Sequence, residues 1–126
     1  MLLGAVVALV GCAAVKPKTP EEEVIERANA RWAALVAGDF AKAYTYLTPS
    51  YRKVVSSKVY AGSFGTAAKP ISAEVVRAAC YVEECDLGVS VDLEIALPYK
   101  GLQRLSSGRE ERWVREDGQW YYYQQF

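Results

Sequence analysis

The eleven residues LGVSVDLEIAL, Leu87 to Leu97, decide the fold. Leu87, Val89, Val91, Leu93, Ile95 and Leu97 alternate with Gly88, Ser90, Asp92, Glu94 and Ala96. A period of two means a β-strand with one dry face and one wet face. Upstream, Ser72 to Val82 reads as a second strand, and its apolar residues fall in both parities, which predicts cover on both faces. Downstream, Arg109–Glu116 and Gln119–Phe126 form a hairpin around Asp117-Gly118, a two-residue turn that favours this pairing. Counting back from the turn opposes Arg115 to Trp120 and Trp113 to Tyr122. Both indoles and Tyr122 then share one face, with Val114, Tyr121 and Tyr123 on the other. Pro98 to Gly108 reads as a loop.

Before the strands the period is helical. Thr19-Pro20 starts a helix, because threonine caps the first turn and proline suits the first helical position. Val24, Ala28, Trp32, Leu35 and Val36 form its apolar stripe. Gly38 stops the helix, and Asp39 caps a second that carries Phe40, Ala43, Tyr44 and Leu47. Thr48-Pro49 repeats the starting device for a short third helix with Tyr51, Val54 and Val55. After Lys58 the period turns to two. Three helices followed by antiparallel strands predict an α+β domain with helices packed on one sheet face.

The segment ARWAALVAGDFAKAYTYLTPSYR (Ala30 to Arg52) and the closing WVREDGQWYYYQQF (Trp113 to Phe126) resemble the nuclear transport factor 2-like superfamily. Ketosteroid isomerase and the SnoaL-like cyclases share that cone. The resemblance spans residues 20–126 and implies N-terminal helices closing a curved antiparallel sheet around a pocket. Enzymes of this superfamily place an acid, a base or a phenol there. This chain has no histidine. Asp92 and Glu94 share the wet parity and point away from the helices, as a solvated or dimer-facing stripe. Asp39 is used as a helix cap. No catalytic residue is assigned, and Tyr44, Tyr60, Arg77, Tyr81 and Trp120 are the candidates for a ligand cavity. An arginine in an apolar strand must be paired, and Glu74 or Glu94 is the expected partner of Arg77. Superfamily members dimerise through their sheets, which implies an interface at Arg112, Tyr121 and Tyr123; an ordinary half-exposed sheet face fits those residues equally.

Leu9-Val10-Gly11-Cys12 resembles the lipobox of bacterial lipoproteins. An apolar run from Leu2 to Val10 precedes it and charged chain follows, although no Lys or Arg precedes Cys12. The resemblance divides the chain into a signal peptide (1–11), a lipidated Cys12 with its tether (12–18) and one domain (19–126). It implies acyl chains on Cys12 and anchorage in a bacterial cell envelope. Ala13 lacks the inner-membrane retention signal of enterobacterial lipoproteins and so favours the periplasmic face of the outer membrane. In that oxidising compartment Cys80 and Cys85 are expected to join as a local disulfide. Their CYVEEC spacing is neither the redox nor the zinc-knuckle pattern. Fifteen basic and fifteen acidic side chains balance, which argues against a nucleic-acid partner. Neither metal nor cofactor is implied.

The functional expectation is therefore a non-enzymatic envelope lipoprotein whose domain binds a small apolar ligand or an envelope protein, with a homodimer through the sheet also open. An isomerase, dehydratase or cyclase using a pocket tyrosine and a carboxylate is the alternative, and a structural subunit of an envelope complex is another.

Overall fold

A computed structural model of the chain describes Gly4, Gly11 and residues 16–126. Cys12 and most of the apolar opening lie outside the described residues. Four helices are followed by four strands: α1 (Pro20–Val36), α2 (Phe40–Tyr44), α3 (Pro49–Val54), α4 (Ser57–Gly62), β1 (Ala68–Cys80), β2 (Glu84–Leu97), β3 (Gly101–Glu116) and β4 (Gln119–Tyr122). The strands form one antiparallel sheet in the order β1-β2-β3-β4.

The caps act as the sequence predicts. The Thr19 hydroxyl accepts from the Glu22 N–H, Asp39 accepts from Lys42 N–H, and Thr48 accepts from Tyr51 N–H. Each satisfies one of the amides orphaned at a helix start. Gly38 adopts φ +73, which lets α1 end and the chain reverse into α2. Asp117 and Gly118 both take positive φ, as a tight hairpin turn requires. The register of β3 with β4 opposes Arg115 to Trp120 and Trp113 to Tyr122.

The dry parity of β2 faces the helices. Cys85, Leu87, Val89, Val91 and Leu93 are buried there against Val24, Ala28, Trp32 and Leu35 of α1. Trp113 and Trp120 are fully buried beside them. Cys80 and Cys85, directly paired across β1 and β2, form a disulfide.

Four local expectations change. The segment Pro98–Gly108 is not a loop: a turn at Pro98–Lys100 leads straight into β3, whose residues from Gly101 onward pair with β2. Its glycines and serines have weak strand propensity, and the ladder with β2 overrides that weakness. A fourth helix, capped by Ser56 on Val59 N–H, occupies Ser57–Gly62, where a strand period had been expected to begin. It is too short to display a period. β1 starts earlier than expected, at Ala68, and it is an edge strand with one open face: Val76 is 63% exposed. Register shifts between Pro70 and Ser72 and between Val75 and Arg77 explain its mixed parity, because each adds a residue and flips those that follow. Finally, β4 ends at Tyr122, with Gln124–Phe126 in irregular chain.

Candidate ligand pocket

Between the second half of α1, the α4–β1 connection and the dry face of β2 and β3 lies a half-open pocket of about 860 Å³. That is the size range of small-molecule sites. Its apolar wall is Trp32 and Leu35 from α1, Phe40 and Phe64, and Leu93 from β2. Phe40 and Phe64 stack with ring centroids 4.5 Å apart.

The other wall is polar and rigidly built. Arg31 of α1 and Glu111 of β3 are both buried, and the Arg31 Nη1 donates to Glu111 Oε2 at 3.0 Å. Two indoles complete the carboxylate's shell: Trp32 Nε1 donates to Oε2 at 2.9 Å and Trp113 Nε1 to Oε1 at 3.1 Å. A buried charge needs this many partners, since desolvation would otherwise outweigh the ion pair. The Arg31 guanidinium also lies over the Tyr122 ring, 3.7 Å from its centroid, while its buried Nε has no partner. Burial pushes the Tyr122 phenol upward, and Arg31 opposes the shift.

Glu111 is thus the carboxylate inside the cone, yet three N–H donors already converge on it. A general base needs a free acceptor aimed at the substrate. Asp39, Asp92 and Glu94 do not line the pocket. Asp92 stands on the outer face, accepting from Ser106 and Ser72, which hold its carboxyl below the ordinary value. Of the remaining charges at the pocket, Glu110 pairs with Arg77. Arg109 and Lys69 have no carboxylate within 4.0 Å among the described residues. The charge left over in the pocket is positive.

The sequence candidates fall elsewhere. Tyr44 is part of the helical core, its hydroxyl shared between the carbonyls of Val55 (2.6 Å) and Arg52 (3.1 Å), where it closes the end of α3. Tyr60 is buried among Tyr44, Tyr51 and Phe64; its hydroxyl lies near the Arg31 guanidinium but makes no hydrogen bond within 3.5 Å among the described residues. Trp120 is wholly in the core, with its Nε1 unpartnered. Arg77 is placed on the outer sheet face, bonded to Glu110 at 2.5 Å rather than to Glu74 or Glu94. The register shift after Val75 turns it outward. Tyr81 lies in the β1–β2 turn and is largely exposed. None of the five lines the pocket.

Of the interface candidates, Arg112 faces outward near Asp86 and Tyr123 is 45% exposed beside it. Tyr121 is not free: the guanidiniums of Arg27 and Arg52 lie 5.3 and 5.7 Å from its ring centroid. Arg31, Arg109 and Glu111 were missed. The signal for two of them was present, since Arg31 sits on the apolar stripe between Ala28 and Leu35, and Glu111 shares the parity of Trp113.

No protein-family model matches the chain, and no curated protein matches it. Solved structures do. A SEC-C motif containing protein from Rhodopseudomonas palustris superposes with a TM-score of 0.59 at 15% identity, over 75% of this chain and 70% of that one. The CaMKII hub homology domain of Chlamydomonas reinhardtii gives 0.52 at 16% identity, over 80% and 91%. The chain is an α+β protein with the nuclear transport factor 2-like fold, helices closing one face of an antiparallel sheet.

Proposed function

We propose that this protein is a non-catalytic, lipid-anchored protein of a bacterial cell envelope whose cone holds an elongated apolar small molecule ending in an acidic group. One observation carries the ligand class: the pocket's walls are aromatic and aliphatic, and the dry-parity cation Arg109 in its lining has no carboxylate within 4.0 Å among the described residues. An apolar body would bury against Trp32, Leu35 and Phe64, and an anion would find its countercharge at the β3 side. Glu111, engaged by three donors, serves as scaffold. The anchoring half of the reading rests on Leu9-Val10-Gly11-Cys12, with Cys12 as the first residue of the mature chain and the periplasmic face of the outer membrane as its site.

Native and denaturing mass spectrometry of protein gently extracted from its own membranes tests both halves. The denatured mass should correspond to a chain beginning at an acylated Cys12; an unprocessed Met1 refutes the anchor. The native spectrum should carry an acidic small-molecule adduct that is lost on denaturation and absent from Arg109→Ala. A bare protein that keeps no adduct refutes the carrier reading.

A homodimer through the outer sheet face is a second reading, favoured by exposed Tyr123 beside Arg112. The hub homology described for one structural neighbour is in keeping with assembly.

A further inference from the structure

The β2–β3 hairpin runs past the rest of the domain. β1 begins at Ala68, opposite Ile95, so residues 96–102 form a two-stranded ribbon among the described residues, with no third strand beside it. Its apolar side chains are unusually exposed: Leu97 and Leu105 on the dry parity, Leu102 (65% exposed) on the opposite face, and Tyr99, fully exposed, in the turn between them. From Ile95 to Gly108 the chain holds no acidic residue and two cations, Lys100 and Arg104, the latter opposite Glu94 across the ladder.

We infer that this hairpin tip is a membrane-contact element that inserts shallowly into an anionic phospholipid surface. The arrangement of the apolar groups selects lipid over protein. A protein partner covers one face of a ribbon, whereas Leu97 and Leu102 point to opposite faces and Tyr99 crowns the turn. A surrounding apolar medium is what satisfies all three at once. Cations placed just behind the tip suit the lipid phosphates at the surface. Depth is limited, because the ribbon's edges carry unpaired backbone groups that hydrocarbon cannot satisfy.

The tip is distinct from any attachment at Cys12. Arg27 of α1 bonds to the Trp120 carbonyl near the β3–β4 turn, while Val36 and Gly38 share the pocket with Ala68 and Leu93. The helix therefore starts at the end remote from the hairpin tip. That remote end is of mixed charge: Glu21, Glu22, Glu23 and Glu116-Asp117 stand there with Lys18, Arg27, Arg52 and Arg115.

The test uses the full-length chain with Cys12→Ser, carrying an environment-sensitive dye at Leu97→Cys or at Leu102→Cys. It is mixed with vesicles of phosphatidylcholine alone or with phosphatidylglycerol. The expected result is a blue shift of both dyes on phosphatidylglycerol vesicles. Each cation near an anionic surface contributes about fivefold in affinity, so Lys100→Glu with Arg104→Glu should lower vesicle affinity by about tenfold or more. These positions are exposed, so the variants keep the fold, which unchanged tryptophan emission verifies. Because the dyes sit on the hairpin, membrane affinity of residues 1–15 does not imitate the signal. A shift of one dye alone, an equal response on phosphatidylcholine, or a shift that grows with protein concentration without vesicles overturns the inference, the last pointing to a second copy of the chain.

Discussion

Arg31 and Glu111, 80 residues apart, meet inside the cone with Nη1 and Oε2 at 3.0 Å, both side chains withdrawn from water. Their contact ties the middle of α1 to the dry face of β3 and forms the polar end of the pocket. Two tryptophans bond the same carboxylate, so the pair is embedded in a network with few free acceptor positions.

Breaking one half of this pair leaves the other charge buried. Glu111→Gln should cost about 3–5 kcal/mol of stability, whereas Arg31→Met combined with Glu111→Gln should cost less than the two single losses together, since the double variant leaves no buried charge unpaired and the amide oxygen still accepts from an indole. Urea unfolding of Glu111→Gln, Arg31→Met and the double variant that combines them completes the cycle. Additive losses would show that the pair is not coupled.

The Cys80–Cys85 bond closes a short loop, with a sequence separation of 5. Chain entropy for such a loop puts its contribution at about 2 kcal/mol. Alkylation without reductant should leave both thiols unlabelled, reduction should expose two, and the reduced protein should melt several degrees lower. Labelling of unreduced protein at both positions would contradict the bond.

Asp92 lies on the outer face, and hydrogen bonds from Ser106 and Ser72 hold its carboxyl below the ordinary value of 3.8. A carboxyl lowered on folding contributes stability that is fully present above the unfolded value and is lost as pH falls through the folded one. Asp92→Asn should therefore be slightly less stable than the parent at pH near neutrality. The difference should vanish in acid below the ordinary value. Denaturant midpoints across an acid series check this.

At the alkaline end the sign reverses. Burial raises the phenols of Tyr60, Tyr122 and Tyr51 above the ordinary value of 10.0, so they favour the folded chain below that value and the benefit is lost as pH rises through the raised one. These three should be the last tyrosines to ionise in an ultraviolet titration. Tyr60→Phe removes a buried hydroxyl that has no partner, so its stability at neutral pH should fall by no more than about 1 kcal/mol. Its alkaline unfolding should move to higher pH.

Much of the architecture was legible because it depends on near neighbours. Thr19, Asp39 and Thr48 cap helices through amides three residues away. The parity of Leu87 to Leu93 states which face of β2 is dry, and Asp117-Gly118 sets the β3–β4 register by itself. The errors fall where local signal is weak or where insertions break it. Gly101 to Gly108 looks like a loop until β2 is beside it. Arg77 looks inward until the shift between Val75 and Arg77 is counted.

The pocket was less legible. Tyr44, Tyr60 and Trp120, expected near the cavity, are core residues, while Arg31, Arg109 and Glu111 line it and gain their place there only from contacts across the fold.

What the sequence determined by itself was the class of fold, the helix starts, the dry face of the central strand and the closing hairpin. All of these are set by side chains within a few positions of one another. Only the tertiary structure decided that Arg31 would find Glu111, that Arg109 would have no carboxylate within 4.0 Å among the described residues, and that Leu97, Tyr99 and Leu102 would stand clear of the core. Those outcomes depend on how a helix and a bulged, twisted sheet come together across tens of residues. A charge acquires its role from what burial brings beside it.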